Sequence, residues 1–237
     1  MEAFTGATAF GYRHVETDLR MTSDGVLVCI HDRAVERTTN GVGAVADLSM
    51  ADLEELDAGY RHAAAQGFPF RGKGLSVPRF EELVTALPDV GFVVDLKADG
   101  MAEELARIVD RHSLQDRVVV GSFSDRRLRD FREATGGRVA TSTGSAESRR
   151  WLAASRLRRP VPGTARALQV PRTLRGVRVV DARLVETAHM AGLAIHVWTV
   201  NERTEMERLL DMGVDGIVTD RVDVLKDVLE SRGEWIS

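Results

Sequence analysis

Three acids, a histidine and a lysine stand at spacings that can gather them into one chemical site. In HVETDLR, Glu16 and Asp18 are two residues apart, so on a strand both carboxylates project from the same face. Asp95 and Lys97 repeat that spacing at the end of the apolar run GFVVDLK. Charged groups are rarely buried unless they are paired or bound to a metal. Acids that converge on one mouth repel one another, and a divalent cation relieves the repulsion. Oxygen-only ligation favours Mg2+ or Ca2+ over zinc. A histidine such as His31 can take or give a proton near neutral pH. Lys97 is conspicuous because lysine is scarce: the others in the chain are Lys73 and Lys226.

Asp24–Gly25, between two apolar runs, predicts a type I′ hairpin, since both central residues of that turn must accept positive φ. With a two-residue loop, Leu19 opposes Ile30 and Asp18 opposes His31. One hairpin then gathers Glu16, Asp18 and His31. The plain alternative is a solvated strand face carrying a surface ion pair.

These residues sit within a repeated alternation of β-branched runs and amphipathic helical stretches, the pattern of βαβ units and a parallel sheet. Strands are expected at 14–20, 91–97, 117–123, 138–143, 167–171, 194–200 and 213–220, with helices between them. A helix over the residues before 14, another from Met50 to Leu56, and a cap at Ser124 or Asp125 are also expected. The fold class is therefore α/β, a (β/α)8 TIM barrel whose first strand is missing from the count. Residues 1–237 read as a single barrel domain, with an insertion at about 32–80 on the catalytic face, where long βα loops build sites.

The formal net charge of −4 and the dispersed cations give no nucleic-acid stripe. No apolar run approaches the roughly 20 residues that span a bilayer, so no stable membrane insertion is expected. The N-terminus lacks a secretory layout, and Cys29 is a lone cysteine, both of which suit the cytoplasm. Cys29, placed opposite Arg20 by the expected register, reads as structural. His14 and His196 read as interior packing, and His62, His112 and His189 as surface residues. Asn201 and Asp220 read as caps of the helices that follow them.

The segments GYRHVETDLRMTSDGVLVCIHDRAVERTTNGVG, VVDLK, GSF at 121–123, HVWTVN at 196–201 and GVDGIVTD at 213–220 resemble, in order, the glycerophosphodiester phosphodiesterases. The resemblance implies Glu16, Asp18 and Asp95 as metal ligands and His31 as one of two catalytic histidines. It implies Lys97 as the lysine that neutralises phosphate and Trp198 as an aromatic wall of the substrate pocket. Arg37 matches a pattern that serves loop architecture. Asp95 departs from the family, which usually has glutamate there.

The family's opening His-Arg-Gly and Pro-Glu-Asn-Thr motifs have no counterpart before MEAFTGATAFGYRH, so the chain reads as N-terminally truncated relative to the family. The activity implied is metal-dependent hydrolysis of a small-molecule glycerophosphodiester to glycerol 3-phosphate and an alcohol. The glycerol hydroxyl attacks first, the alcohol leaves, and water opens the cyclic phosphate. With one histidine of two, that activity is expected to be impaired. The competing expectation is an inactive barrel kept as a ligand-binding or regulatory protein.

Overall fold

A computed structural model of the chain describes every residue except Pro160, Arg175 and Ser237. It divides into two compact units, residues 1–6 with 13–118 and residues 7–12 with 119–237. The chain opens with helix α1 (Glu2–Ala9).

The sheet of the first unit is built on β1 (His14–Met21), with β2 (Leu27–Cys29) antiparallel on one side and β3 (Gly91–Leu96) parallel on the other. Val15, Thr17 and Leu19 of β1 and Phe92, Val94 and Leu96 of β3 are buried, and the residues between them are exposed or half-buried. Period-two alternation thus assigns the apolar side chains to one face and Glu16, Asp18 and Asp95 to the other. Helices α3 (Phe80–Ala86) and α4 (Ala102–Arg111) bury Phe80, Leu83 and Val84, and Leu105, Ala106, Ile108 and Val109, at helical spacing. Phe80 meets Phe92 edge to face at 6.0 Å. Gly91 lies beside His14 in the β1–β3 register, and a Cβ there would stand 2.5 Å from the imidazole.

The 32–80 stretch has a core of its own. Val28 of β2 packs with Val35, Val45, Met50, Leu53 and Val77, all buried, around the short helix α2 (Met50–Glu54). Ser49 caps that helix through a reciprocal bond pair with Asp52. The outer edge of β2 is covered by residues 78–79, where Cys29 N donates to Pro78 O.

The second unit contains β4 (Val118–Gly121, whose first residue belongs to the other unit), β5 (Ala140–Thr141), β6 (Ala167–Pro171), the hairpin β7 (Thr173–Leu174) and β8 (Val177–Arg178), β9 (Ala194–Trp198) and β10 (Gly216–Ile217). Here β4 pairs with β5, and β9 with both β6 and β10, all parallel. Helices α5 (Asp125–Ala134), α6 (Ser145–Ser155), α7 (Ala182–Met190), α8 (Arg203–Asp211) and α9 (Val222–Ser231) alternate with these strands. Leu168, Val170, Ile195 and Val197 pack against Trp151, Leu184, Met206, Leu209 and Val228. Ser124 caps α5, and Asp181 caps α7 by accepting from Leu184 N at 2.9 Å. Helix α6 begins at Gly144, which has no capping side chain. Asp125 supplies one instead, accepting from Ala146 N at 2.8 Å and Glu147 N at 3.0 Å.

All seven parallel-type strands expected from sequence are present. The hairpin register is not the expected one. Leu19 opposes Cys29, Arg20 opposes Val28 and Met21 opposes Leu27, one residue off the type I′ prediction. Asp18 therefore faces Ile30 rather than His31, and Ile30 N donates to Asp18 O at 2.9 Å. The loop is five residues, 22–26, closed by Thr22 N to Val26 O at 3.0 Å, and positive φ falls on Gly25 (84°) but not on Asp24. Asp24 turns its carboxylate to the Thr22 hydroxyl at 2.5 Å and to Met50 N at 3.0 Å, which pins the loop to α2 and sets the longer connection.

Asn201 and Asp220 also differ from expectation. They bond each other, Asn201 Nδ2 to Asp220 Oδ2 at 3.0 Å and Asp220 N to Asn201 Oδ1 at 2.9 Å. Among the described residues no helix is long and apolar enough to cross a membrane.

Candidate active site

Parallel pairing of β1 with β3 sets Asp18 directly beside Asp95. Two carboxylates one strand spacing apart repel, and the chain answers with Lys97, the next residue but one on the same face. Its ammonium lies 2.8 Å from Asp18 Oδ1 and 2.5 Å from Asp95 Oδ2. The three side chains are only 16–17 % exposed. Burial by itself would pull the Lys97 pKa down, but the hydrogen bonds and charges of Asp18 and Asp95 outweigh it and hold it above its ordinary value.

Asp95 Oδ1 is sealed from solvent and has no hydrogen-bond partner among the described residues. A carboxylate oxygen in that condition is costly unless a cation or donor completes it. Glu16 lies one pleat back on the same face of β1, exposed and beside Val93 in the register. Among the described residues, no three of His, Cys, Asp and Glu converge as a ready-made metal cluster. Lys97 lies between the two aspartates, in contact with both. The donor chemistry, carboxylate oxygen throughout with one oxygen still unsatisfied, fits a hard divalent cation.

His31 stands in the bend that follows β2, 65 % exposed, and its Nδ1 lies 2.7 Å from Asp32 Oδ1. Arg37 Nε donates to the other oxygen of Asp32. Arg37, and after it His31, hold the Asp32 carboxyl below the usual carboxylate range. Asp32 went unnoticed in the sequence, although it adjoins His31.

Trp198 closes β9 in the second unit. It meets Phe123 edge to face, with ring centres 5.6 Å apart, and Phe123 is 58 % exposed. The GSF motif after β4 was the signal for Phe123. His196, two residues before Trp198, lies over Gly216, where a Cβ would come within 2.9 Å of its ring, and its Nδ1 is 3.3 Å from Gln169 Nε2.

The remaining candidates have local roles. His189 pairs with Asp215, His112 with Glu81, and His62 packs on Phe70. His14, expected as interior packing, is exposed on the face shared with Glu16. Cys29 lies opposite Leu19, not Arg20, and burial pushes its thiol up to about 12.

The chain matches the model of the glycerophosphoryl diester phosphodiesterase family over residues 1–224, a span that runs through both units. It is 39% identical over 244 residues to the Mycobacterium tuberculosis protein named "Probable glycerophosphodiester phosphodiesterase 2", covering 99% of this chain and 86% of that one. Among solved structures it resembles a glycerophosphodiester phosphodiesterase from Agrobacterium tumefaciens, with a TM-score of 0.75, 23% identity, and 94% and 90% of the two chains covered. It also resembles an Oleispira antarctica phosphodiesterase solved in complex with the product sn-glycerol-3-phosphate, with a TM-score of 0.76, 22% identity, and 96% and 89% covered. These structural likenesses assign the α/β TIM-barrel fold. Together with the match along nearly the whole sequence, they lead to one conclusion: the chain belongs to the glycerophosphoryl diester phosphodiesterase family, hydrolases of glycerophosphodiesters.

Proposed function

We propose that the chain hydrolyses a small glycerophosphodiester to glycerol 3-phosphate and an alcohol at the face shared by β1 and β3, with Glu16, Asp18 and Asp95 as ligands of Mg2+ or Ca2+. The observation that carries this reading is the Asp18–Asp95 pair with its unsatisfied Oδ1. A divalent cation held there would neutralise phosphate charge and orient the ester.

The chain's own side chains supply the rest. Lys97 brings a fixed positive charge to the same mouth, where a phosphate oxygen gathers negative charge as the ester is attacked. His31 moves the proton, taking it from the attacking glycerol hydroxyl or giving it to the departing alkoxide.

The test is release of glycerol 3-phosphate from glycerophosphocholine and glycerophosphoethanolamine, with EDTA and then with Mg2+ or Ca2+ restored. Product formation that EDTA stops and either cation restores supports the reading. Tight substrate binding with no product under any cation would instead make the chain a binding barrel.

A further inference from the structure

We propose that Asp32, itself held by Arg37, is the positioning residue that fixes which ring nitrogen of His31 exchanges protons. The inference rests on the proton-carrying role given to His31 above.

The contact is doubly held. Asp32 Oδ1 meets His31 Nδ1 at 2.7 Å, and its Oδ2 receives Arg37 Nε, so the carboxylate cannot turn without breaking one bond or the other. Arg37 and His31 hold that carboxyl below the usual range, so at neutral pH Asp32 accepts hydrogen bonds and has no proton to donate. Nδ1 must then carry the hydrogen between them. The lone pair of the neutral ring is left on Nε2, and Nε2 becomes the atom that takes a proton and returns it.

The backbone around the ring is fixed as well. Arg20 Nε donates to His31 O at 3.0 Å, and Ile30 N to Asp18 O at 2.9 Å, which ties the residue to β1 on both sides of the bend. On the far side, buried Val35 anchors the loop and Val45 N donates to Arg33 O at 2.9 Å. A surface ion pair between freely rotating side chains has none of these constraints and contributes little. Here the bonds select a tautomer and hold an imidazole that is otherwise 65 % exposed.

The experiment is long-range 1H–15N NMR of His31 in the full chain, combined with steady-state kinetics on glycerophosphocholine. Wild type should show the Nδ1–H tautomer, and Asp32→Asn a mixture of tautomers, because an amide can either donate to Nδ1 or accept from it. Asp32→Asn should lower kcat about 10- to 100-fold with KM changed less than about twofold. Asp32→Glu should recover most of the loss, and Arg37→Gln should act in the same direction with a smaller effect. In a His31→Ala background, Asp32→Asn should cost nothing further. An Nε2–H tautomer in wild type, or Asp32→Asn with wild-type kcat, overturns the proposal. If His31→Ala leaves turnover intact, the reading of His31 as proton carrier fails instead, and the tautomer spectrum alone decides the Asp32 contact.

Discussion

Asp18 stands in register beside Asp95 across the β1–β3 ladder, and the charge that makes this tolerable comes from Lys97 on the same strand end. Replacing that ammonium with an isosteric apolar chain leaves two largely buried acids facing each other. Lys97→Met should therefore lower unfolding stability by about 1–3 kcal/mol, read as the midpoint in urea. Added Mg2+ or Ca2+ should return part of the loss, because the aspartates then meet another cation. A midpoint equal to wild type in cation-free buffer would mean that the lysine contributes no net stabilisation.

The short side chain at Asp95 makes a second prediction. Asp95→Glu restores the length the family usually has and should keep kcat within about tenfold of wild type. Asp95→Ala removes the acceptor whose Oδ1 awaits a partner and should cost about 10²-fold or more. Calorimetric titration with Mg2+ and Ca2+ separates affinity from turnover: cation binding should weaken in the alanine variant and persist in the glutamate one.

Asp125 gives a third, with a defined pH window. Burial alone would raise its pKa, but its bonds to Ala146 N and Glu147 N, with the nearby charge of Arg150, hold it below the usual carboxylate value. A carboxyl depressed in the folded state adds stability above its unfolded pKa and loses it as pH falls through the folded value. Asp125→Ala should cost about 1 kcal/mol at pH 7. That difference should shrink as pH drops below about 4. Gly144→Ala should be at least as damaging, since its Cβ would stand 2.6 Å from Asp125 Cγ. Thermal melts from pH 7 to pH 3 measure both.

Cys29 supplies a fourth. Burial pushes its thiol up to about 12, against the opposing effect of a hydrogen bond with Thr17. In the native protein at pH 8 it should react with a maleimide more slowly than an exposed thiol, and it should label at the ordinary rate in urea. Rapid native labelling would place the thiol in solvent.

The strands were legible because each carries a β-branched or apolar run with one buried face, as in Phe92, Val94 and Leu96. The grouping of Asp18, Asp95 and Lys97 was legible from their spacing within two such strands, whereas the place expected for His31 opposite Asp18 was one residue off. What escaped was decided at a distance. Asp24–Gly25 suits either a two-residue or a five-residue loop, and the bond from Met50 N, 26 residues away, selects the longer one. Asn201 meets Asp220 instead of capping its own helix because the ends of two neighbouring parallel strands place them together. The β7–β8 hairpin has two-residue strands with Leu174 and Val177 exposed, too short for any periodicity to register. Asp32 was visible as a letter, but its bond to the ring was not.

The register of β2 makes the 22–26 loop, whose tip at Ser23 and Asp24 is exposed, intolerant of length change. Surface turns ordinarily accept inserted or deleted residues. Here Val28 enters the core of the 32–80 segment while Leu27 is buried on the opposite face, and a strand of three residues has no slack to absorb a slip. Adding or removing a single residue between Thr22 and Val26 would exchange those faces. It would send Val28 out of its core and carry His31 and Asp32 with it, so indels in this turn should be lost from any library selected for folding.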